Sequence, residues 1–179
     1  MKNPIAVILC ALALLAPAAG PAAPSASDDG TPIASGPPSP GAAAFALIKS
    51  LEGEWRAPEG KTEMINIFRP FAFGTAILHE EWKDGAQLTA TAFYMVGDEL
   101  RADHFCDFQN QLRYTVKPTA DGKGVSFELR EALNLDTHPR HFHASGWALK
   151  DTTHLAQDWH IAEPGKPMRS VHLDFTRRP

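Results

Sequence analysis

The chain has 179 residues, with 17 Lys and Arg against 21 Asp and Glu, so its formal net charge is −4. No basic block or basic helix is present, which argues against nucleic acid as a partner. After an N-terminal targeting segment and a tether, the length suits one domain with a single core.

The first nineteen residues have the pattern of a secretory signal peptide. An apolar run over residues 5–15 follows a short positive start, and APAAG offers small residues for cleavage near Ala18 or Ala19. The run is too short to span a bilayer, and Cys10 follows a leucine rather than the small residue typical of a lipid-anchored cysteine. We expect a periplasmic or secreted protein with no membrane anchor. Cleavage leaves Cys106 as the one thiol, so no internal disulfide is expected.

Residues 20–41 are rich in Pro, Ala, Ser and Gly and have almost no large apolar side chain. Such a segment buries too little surface to offset its ordering entropy, so we expect a disordered tether. The folded domain is therefore predicted over residues 42–179. It begins with a short helix over 41–53, where Ala, Leu and Lys favour helix and Gly53 can end it.

The period of the hydrophobic pattern then changes to two, which is typical of strands. Together with a segment at Trp55, about ten short strands are predicted. Their ranges are 62–71, 74–82, 87–96, 99–107, 111–118, 124–131, 140–150, 153–162 and 168–177. No long helix lies between them, which argues against a parallel sheet. An antiparallel up-and-down barrel leaves no exposed edges, whereas a β-sandwich is the alternative that alternation alone leaves open.

The two ends of this domain resemble the lipocalin and fatty-acid-binding-protein superfamily, the calycins. LEGEW, residues 51–55, opens the first strand, and FTRR, residues 175–178, ends the last. In that superfamily a Gly-x-Trp packs under an arginine from the last strand. The resemblance implies this structural role for Gly53, Trp55 and either Arg177 or Arg178, where a cation over an indole contributes about 0.5–2 kcal/mol.

A second resemblance covers most of residues 45–179. The order of Leu-x-Gly-x-Trp, a His-x-Cys strand, Asn-Gln-x-Arg and a final Phe-Thr-Arg is similar to an uncharacterised bacterial lipocalin-like family with an HYC…NQPR signature. The chain departs from that signature at Phe105, where the family has Tyr, and at Leu112, where it has Pro. The resemblance implies a barrel and supplies no activity.

Alternation places several polar side chains inside the predicted barrel. His104 and Cys106 share a face with Leu100, opposite a charged face, and His141 and His143 share a face with Trp147. A site for Zn²⁺ or copper built from His104, Cys106, His141 and His143 is one hypothesis, and haem held by one inward histidine is a related one. A hydrogen-bonded core network with Cys106 as a small hydrophobe is the alternative we favour.

Catalysis fits the pattern less well. Cys106 with His104 or His141 would make a nucleophile and base, with Glu80 or Glu81 as an orienting group. No Gly-x-Ser-x-Gly, His-Glu-x-x-His or phosphate loop accompanies them. We therefore lean against an enzyme and keep a Cys106/His site as an alternative function.

Binding of a small, partly apolar molecule inside the barrel is the function that the sequence favours. The candidate walls are Trp82, Tyr94, Trp147 and Trp159, and the candidate polar contacts are His104, Cys106, His141 and His143. The structural alternative, which the sequence leaves equally open, is that these aromatic side chains fill a closed core. Arg113 at a barrel mouth is a further candidate for gripping a carboxylate, although alternation puts it on the outer face, where bridging between strands is its structural alternative. The pattern specifies neither the ligand nor an oligomeric state.

Overall fold

The computed structural model describes residues 36–179, so the expected signal peptide and most of the expected tether lie outside the described residues. One helix is followed by ten strands and a single 3-10 turn over Ala72–Gly74. Their bounds are α1 Pro40–Ser50, β1 Gly53–Glu59, β2 Thr62–Phe71, β3 Ala76–Lys83, β4 Ala86–Val96, β5 Glu99–Phe105, β6 Gln111–Pro118, β7 Gly124–Leu133, β8 His141–Leu149, β9 His154–Ala162 and β10 Arg169–Arg177.

The strands form one closed antiparallel barrel. Each strand pairs with its neighbours in the sequence, and β1 pairs with β10 through Trp55 opposite Arg177 to close the circle. Closure satisfies the backbone groups that an open meander would leave at its edges. The prediction of an antiparallel up-and-down barrel of ten strands with a short N-terminal helix is confirmed, and the sandwich is excluded.

Helix α1 begins at Pro40, earlier than the sequence indicated. The Ser39 hydroxyl accepts a hydrogen bond from the Ala42 amide at 3.2 Å, and proline occupies the first turn, where its missing N–H costs nothing. Gly41 is buried, and a Cβ there would lie 2.2 Å from the Asp98 carbonyl oxygen. Pro40 and Gly41, placed in the tether by their composition, therefore belong to the helix.

The helix also defines the two ends of the barrel. Gly41 packs on the β4–β5 turn, and the buried Ala44 and Ile48 join the core, so α1 covers the end that holds the β2–β3, β4–β5, β6–β7 and β8–β9 turns. We call this the closed end and the opposite end, with the β1–β2, β3–β4, β5–β6, β7–β8 and β9–β10 turns, the open end. Within residues 36–179, no helix has the length and hydropathy needed to cross a bilayer.

An arginine on the last strand joins the helix to the first strand at the closed end. The guanidinium carbon of Arg177 lies 4.3 Å from the centroid of the buried Trp55 ring. Two of its nitrogens donate to the carbonyl oxygens of Glu52 at 2.9 Å and Ser50 at 2.6 Å. These carbonyls follow the last turn of α1, where a cation also complements the helix dipole. Arg177, rather than Arg178, therefore occupies the position over the tryptophan.

Three bulges interrupt the ladders in the open half of the barrel. Leu88 in β4 has no partner between Gln87 and Thr89, because those two residues pair with successive residues of β3. Arg130 in β7 and His143 in β8 are extra residues of the same kind. A bulge shifts the inward and outward alternation by one residue, which re-aims every side chain beyond it.

Candidate functional site

Polar side chains inside the barrel are concentrated on β2 to β5, and aromatic ones on β6 to β9, although each side also holds two residues of the other kind. The polar residues of β2 to β5 are Asn66, His79, Glu81, Thr89, Thr91 and His104, beside the aromatic Phe68 and Phe93. The aromatic residues of β6 to β9 are Tyr114, Phe127, Phe142, Trp147 and Trp159, beside the polar Ser145 and Gln157. The two sides meet at the centre, where the His79 and Trp147 rings lie 5.1 Å apart between centroids.

Towards the closed end the interior is filled by side chains. Trp147 contacts Phe68, Phe93 and Phe127, with ring centroids 5.9, 5.8 and 4.7 Å away. Aromatic side chains packed in this way contribute mainly to stability. Trp147, predicted as a wall of a ligand site, is therefore part of the solid core.

At the open end, a cavity of about 220 Å³ lies inside the barrel. Its apolar walls come from β2, β4, β8, β9 and β10: Met64, Leu88, Phe142, Trp159, Ile161, Val171 and Leu173. Its polar residues are Glu59, Glu81, Lys83, Thr89 and Asp107. An apolar wall with a few placed polar groups is the usual character of a small-molecule site. Of the tryptophans predicted as walls, Trp159 lines this cavity.

Glu81 is the most unusual residue of the cavity. Glu81 is only 6% exposed, and its Oε2 accepts a hydrogen bond from the Thr89 hydroxyl at 2.7 Å. Burial raises the pKa of Glu81 to about 7, the charge of Asp107 adds to the rise, and the Thr89 hydrogen bond opposes it. This carboxyl therefore changes between acid and carboxylate near neutral pH.

The sequence contained a signal for Glu81. Alternation from the inward Ile77 places both His79 and Glu81 inside, as the structure does. We predicted for Glu81 only the role of orienting another residue, because a charged side chain is expected to face water.

His104 lies inside the barrel but beneath the cavity. It is 1% exposed, and its Nδ1 is 2.8 Å from the Thr91 hydroxyl. Phe142 and Trp159 pack over its ring, with centroids 5.9 and 5.6 Å away. Burial lowers the pKa of His104 to about 4. The ring is therefore neutral at pH 7 and belongs to the interior network rather than to the cavity wall.

Cys106 does not belong to the strand that carries His104, because β5 ends at Phe105. Cys106 lies in the following turn, where its amide donates to the Asn110 carbonyl and its sulfur lies 3.4 Å from an Asp107 carboxylate oxygen. Burial raises the pKa of the Cys106 thiol, and the neighbouring carboxylate adds to the rise. A thiol that resists ionisation is a poor nucleophile, so the geometry does not support a Cys106/His catalytic pair.

His141 and His143 lie outside the barrel, which corrects the predicted inward orientation. The bulge at His143 places Phe142 inside together with Trp147, although unbroken alternation would put residues five positions apart on opposite faces. His143 is exposed, and the half-buried His141 holds its Nδ1 2.9 Å from the Pro139 carbonyl oxygen. Unbroken alternation through β8 predicts that both histidines face the core. The sequence of this segment contains no signal for the extra residue at His143.

The four residues predicted to hold Zn²⁺ or copper are therefore not brought together. His104 lies inside, Cys106 lies in a turn, and His141 and His143 face outwards. Among residues 36–179, no group of three or more His, Cys, Asp or Glu side chains is placed to hold a metal ion. For haem, the inward histidines are His104 and His79, and neither lines the cavity. The residues present do not fit either group.

Tyr94 and Arg113 lie on the outer surface. The Tyr94 hydroxyl donates to an Asp103 carboxylate oxygen at 3.1 Å, while its neighbour Phe93 fills the core. Arg113 forms ion pairs with Glu131 at 2.7 Å and Asp103 at 3.9 Å, which joins β6 to the strands on both sides. Neither residue contacts the cavity, so the predicted ligand contacts at Tyr94 and Arg113 are replaced by an exterior polar network. Trp82, the fourth predicted wall, does not line the cavity either.

Asn110, at the end of the β5–β6 turn, has a structural position. Asn110 is buried, and its Nδ2 donates to the carbonyl oxygens of His138 at 3.0 Å and Arg140 at 2.7 Å. It thus holds the β5–β6 turn against the β7–β8 connection at the open end. The left-handed residue of this turn is Gln109, with φ of 66°.

The sequence matches no family model and no curated protein. Among solved structures it is similar to the crystal structure of Rv2717c from M. tuberculosis, with a TM-score of 0.52 and 14% sequence identity. The match covers 76% of this chain and 98% of that chain. At this identity the likeness supports the barrel fold alone.

Proposed function

We propose that the chain is exported and binds a small, partly apolar molecule in the open-end cavity. The signal-peptide pattern, with cleavage near Ala18 or Ala19, supports a periplasmic or secreted location. The calycin-type arrangement of Gly53, Trp55 and Arg177 supports membership of a superfamily of ligand-binding barrels. Both are inferences from sequence pattern, and the cavity carries the proposal.

The observation that carries the function is the contrast between the two ends. The closed end is filled by aromatic rings, whereas the open end keeps about 220 Å³ free behind walls such as Leu88, Phe142 and Leu173. A core with no function would be expected to collapse onto such a space, because unfilled apolar volume costs stability. The volume is below the ~300–1,000 Å³ of sites for drug-sized ligands, so the ligand is smaller than those.

A neutral fluorescent probe, N-phenyl-1-naphthylamine, tests the proposal on the exported chain. We expect saturable binding at one equivalent, with quenching of the fluorescence of Trp159, which lines the cavity. Leu88→Trp fills the cavity and should weaken binding at least tenfold. Leu78→Trp places the same bulk on the outer face of the neighbouring strand and should leave binding unchanged. Equal binding by wild type and Leu88→Trp would place the probe elsewhere and refute the assignment.

A further inference from the structure

The charges that line the cavity are not balanced. Of its carboxylates, Glu59 forms an ion pair with Lys83, the one basic residue of the lining, at 3.1 Å. Glu81 and Asp107 form no ion pair with any Lys, Arg or His in the part of the chain that the structure describes, residues 36–179. The cavity therefore presents two carboxylates for which the described chain supplies no counter-ion.

Glu81 also has a free acceptor. Its Oε2 takes the Thr89 hydroxyl, while no donor among residues 36–179 bonds to its Oε1. An ionised carboxylate only accepts hydrogen bonds, so a partner for Oε1 must be a donor. Because burial leaves Glu81 little contact with water, its charge is costly in the free protein, and a bound cation would offset part of that cost.

The wall across the barrel from Glu81 is suited to a cation with an apolar body. Phe142 and Trp159 both line the cavity, and their rings meet at 53° with centroids 4.9 Å apart. Aromatic faces attract ammonium groups, more strongly where water is excluded. Leu88 and Leu173 add aliphatic surface for a hydrocarbon tail.

From these contacts we infer that the ligand is a small apolar amine in its protonated form, whose ammonium group bonds to Glu81 Oε1 and lies near Asp107. This assignment rests on the proposed binding function and names the ligand class for the same cavity. A neutral alcohol of equal size lacks the charge that Glu81 requires, and a carboxylate of equal size is repelled by both acidic residues.

Binding of such a cation is linked to protonation of Glu81. The charged and titratable groups around it are Asp107 and Cys106 in the β5–β6 turn, Lys83 on its own strand and Glu59 on β1. With the pKa of Glu81 near 7 in the free protein, the competent carboxylate fraction is about 0.03 at pH 5.5 and about 0.8 at pH 7.5. Affinity for an amine should therefore rise about 25-fold over this range.

The test compares three ligands of matched size by isothermal titration calorimetry on the exported chain: 2-phenylethylamine, 2-phenylethanol and phenylacetate. At pH 7.5 we expect the amine to bind at least tenfold more tightly than the alcohol, and phenylacetate to bind weakest. The Glu81→Gln variant should lose the preference for the amine while it still binds the alcohol. The matched control, Glu80→Gln, changes the outward neighbour that pairs with Arg69 and should keep the preference.

Each result separates the ligand class from the site. Equal binding of amine and alcohol, or preference for phenylacetate, would overturn the amine assignment and leave the binding function standing. An amine preference that survives in Glu81→Gln, or an affinity that falls as pH rises from 5.5 to 7.5, would also overturn it. Failure of all three ligands and of the neutral fluorescent probe would overturn the binding function itself.

Discussion

Replacing His79 by leucine should make the barrel less sensitive to acid. His79 is 0% exposed, is stacked on Phe68 with ring centroids 4.4 Å apart, and has no hydrogen-bond partner among residues 36–179 for either ring nitrogen. Burial lowers the pKa of His79 from 6.5 to about 3, and the neighbouring His104 adds to the fall. The folded protein therefore resists a proton that the unfolded chain accepts readily.

The magnitude follows from this difference in pKa. Below pH 6.5 the unfolded chain binds a proton at this position and the folded chain does not, so the free energy of unfolding falls by about 1 kcal/mol per pH unit. The loss stops near pH 3, where the folded state also becomes protonated. Between pH 6.5 and pH 4.5 the loss is roughly 2 kcal/mol, a substantial part of the ~5–15 kcal/mol of a typical domain.

Two other buried groups, His104 and Glu81, affect the pH dependence of the free energy of unfolding. They act equally in the wild type and in His79→Leu, so they do not change the difference between the two proteins. His104, with its pKa lowered to about 4, acts in the same direction as His79. Glu81 acts in the opposite direction, because its pKa is raised from 4.5 to about 7 and the folded state therefore binds its proton first. Acidification from pH 7 to pH 4.5 stabilises the fold through Glu81 and destabilises it through the histidines.

Urea unfolding followed by tryptophan fluorescence between pH 4.5 and pH 7.5 measures the effect. The free energy of unfolding of His79→Leu should rise by roughly 2 kcal/mol relative to the wild type as pH falls from 6.5 to 4.5. The exposed His143 offers the matched control, and His143→Leu should follow the wild-type pH dependence because that ring stays in water in both states. Parallel curves for the wild type and His79→Leu would refute the buried-histidine argument.

Three further predictions concern the closed end and the thiol. Arg177→Ala should lower the free energy of unfolding by about 1–3 kcal/mol, because it loses the cation–π contact and two carbonyl hydrogen bonds. The control Arg178→Ala, at an exposed position, should change the free energy of unfolding by less than about 0.5 kcal/mol. Equal effects of the two substitutions in urea unfolding would contradict this. Gly41→Ala should cost about 1–3 kcal/mol by overpacking, and Gly146→Ala, where a Cβ meets nothing within 4 Å, should cost clearly less; a wild-type melting temperature for Gly41→Ala would be inconsistent with the close approach. Cys106 should react with a thiol reagent at least tenfold more slowly in native than in unfolded protein, because burial raises its pKa, and equal rates would show an accessible thiolate.

The strand pattern of the sequence was sufficient for the fold. Segments such as 62–71 and 111–118 have the bounds that the structure gives β2 and β6, because turn residues bracket them and one face of each is apolar. Barrel closure was favoured by the need to pair edge strands, and the β1–β10 pairing satisfies it. Strand bounds depend on turn residues and on alternation of apolar and polar residues, both of which can be read from the sequence, so the predicted and observed bounds agree.

Side-chain orientation was predictable only where alternation is unbroken. His104 faces inwards as predicted, on a strand where the neighbouring residues clearly separate into apolar and polar faces. Glu81 was undervalued because a charged side chain is expected to face water. Its burial depends on Thr89 across the strand pair and on the cavity beside it, neither of which the local sequence reveals.

The inward orientations wrongly predicted for Tyr94 and for the His141 and His143 pair arise at bulges in the open half of the barrel. The same bulges shape the cavity. The bulge at Leu88 lets Leu88 and Thr89 both line the cavity, so a count of alternate residues from Leu88 wrongly places Tyr94 inside. The bulge at His143 sends that side chain outwards and places Phe142 over the cavity.

Bulges are frequent beside binding sites because they re-aim side chains at a small cost in ladder hydrogen bonds. In this barrel two of them set residues of the cavity wall, while the closed end keeps a regular ladder and a filled aromatic core. The segments where simple alternation fails are therefore those that shape the cavity, which argues that the departures from regular pairing belong to binding rather than to stability.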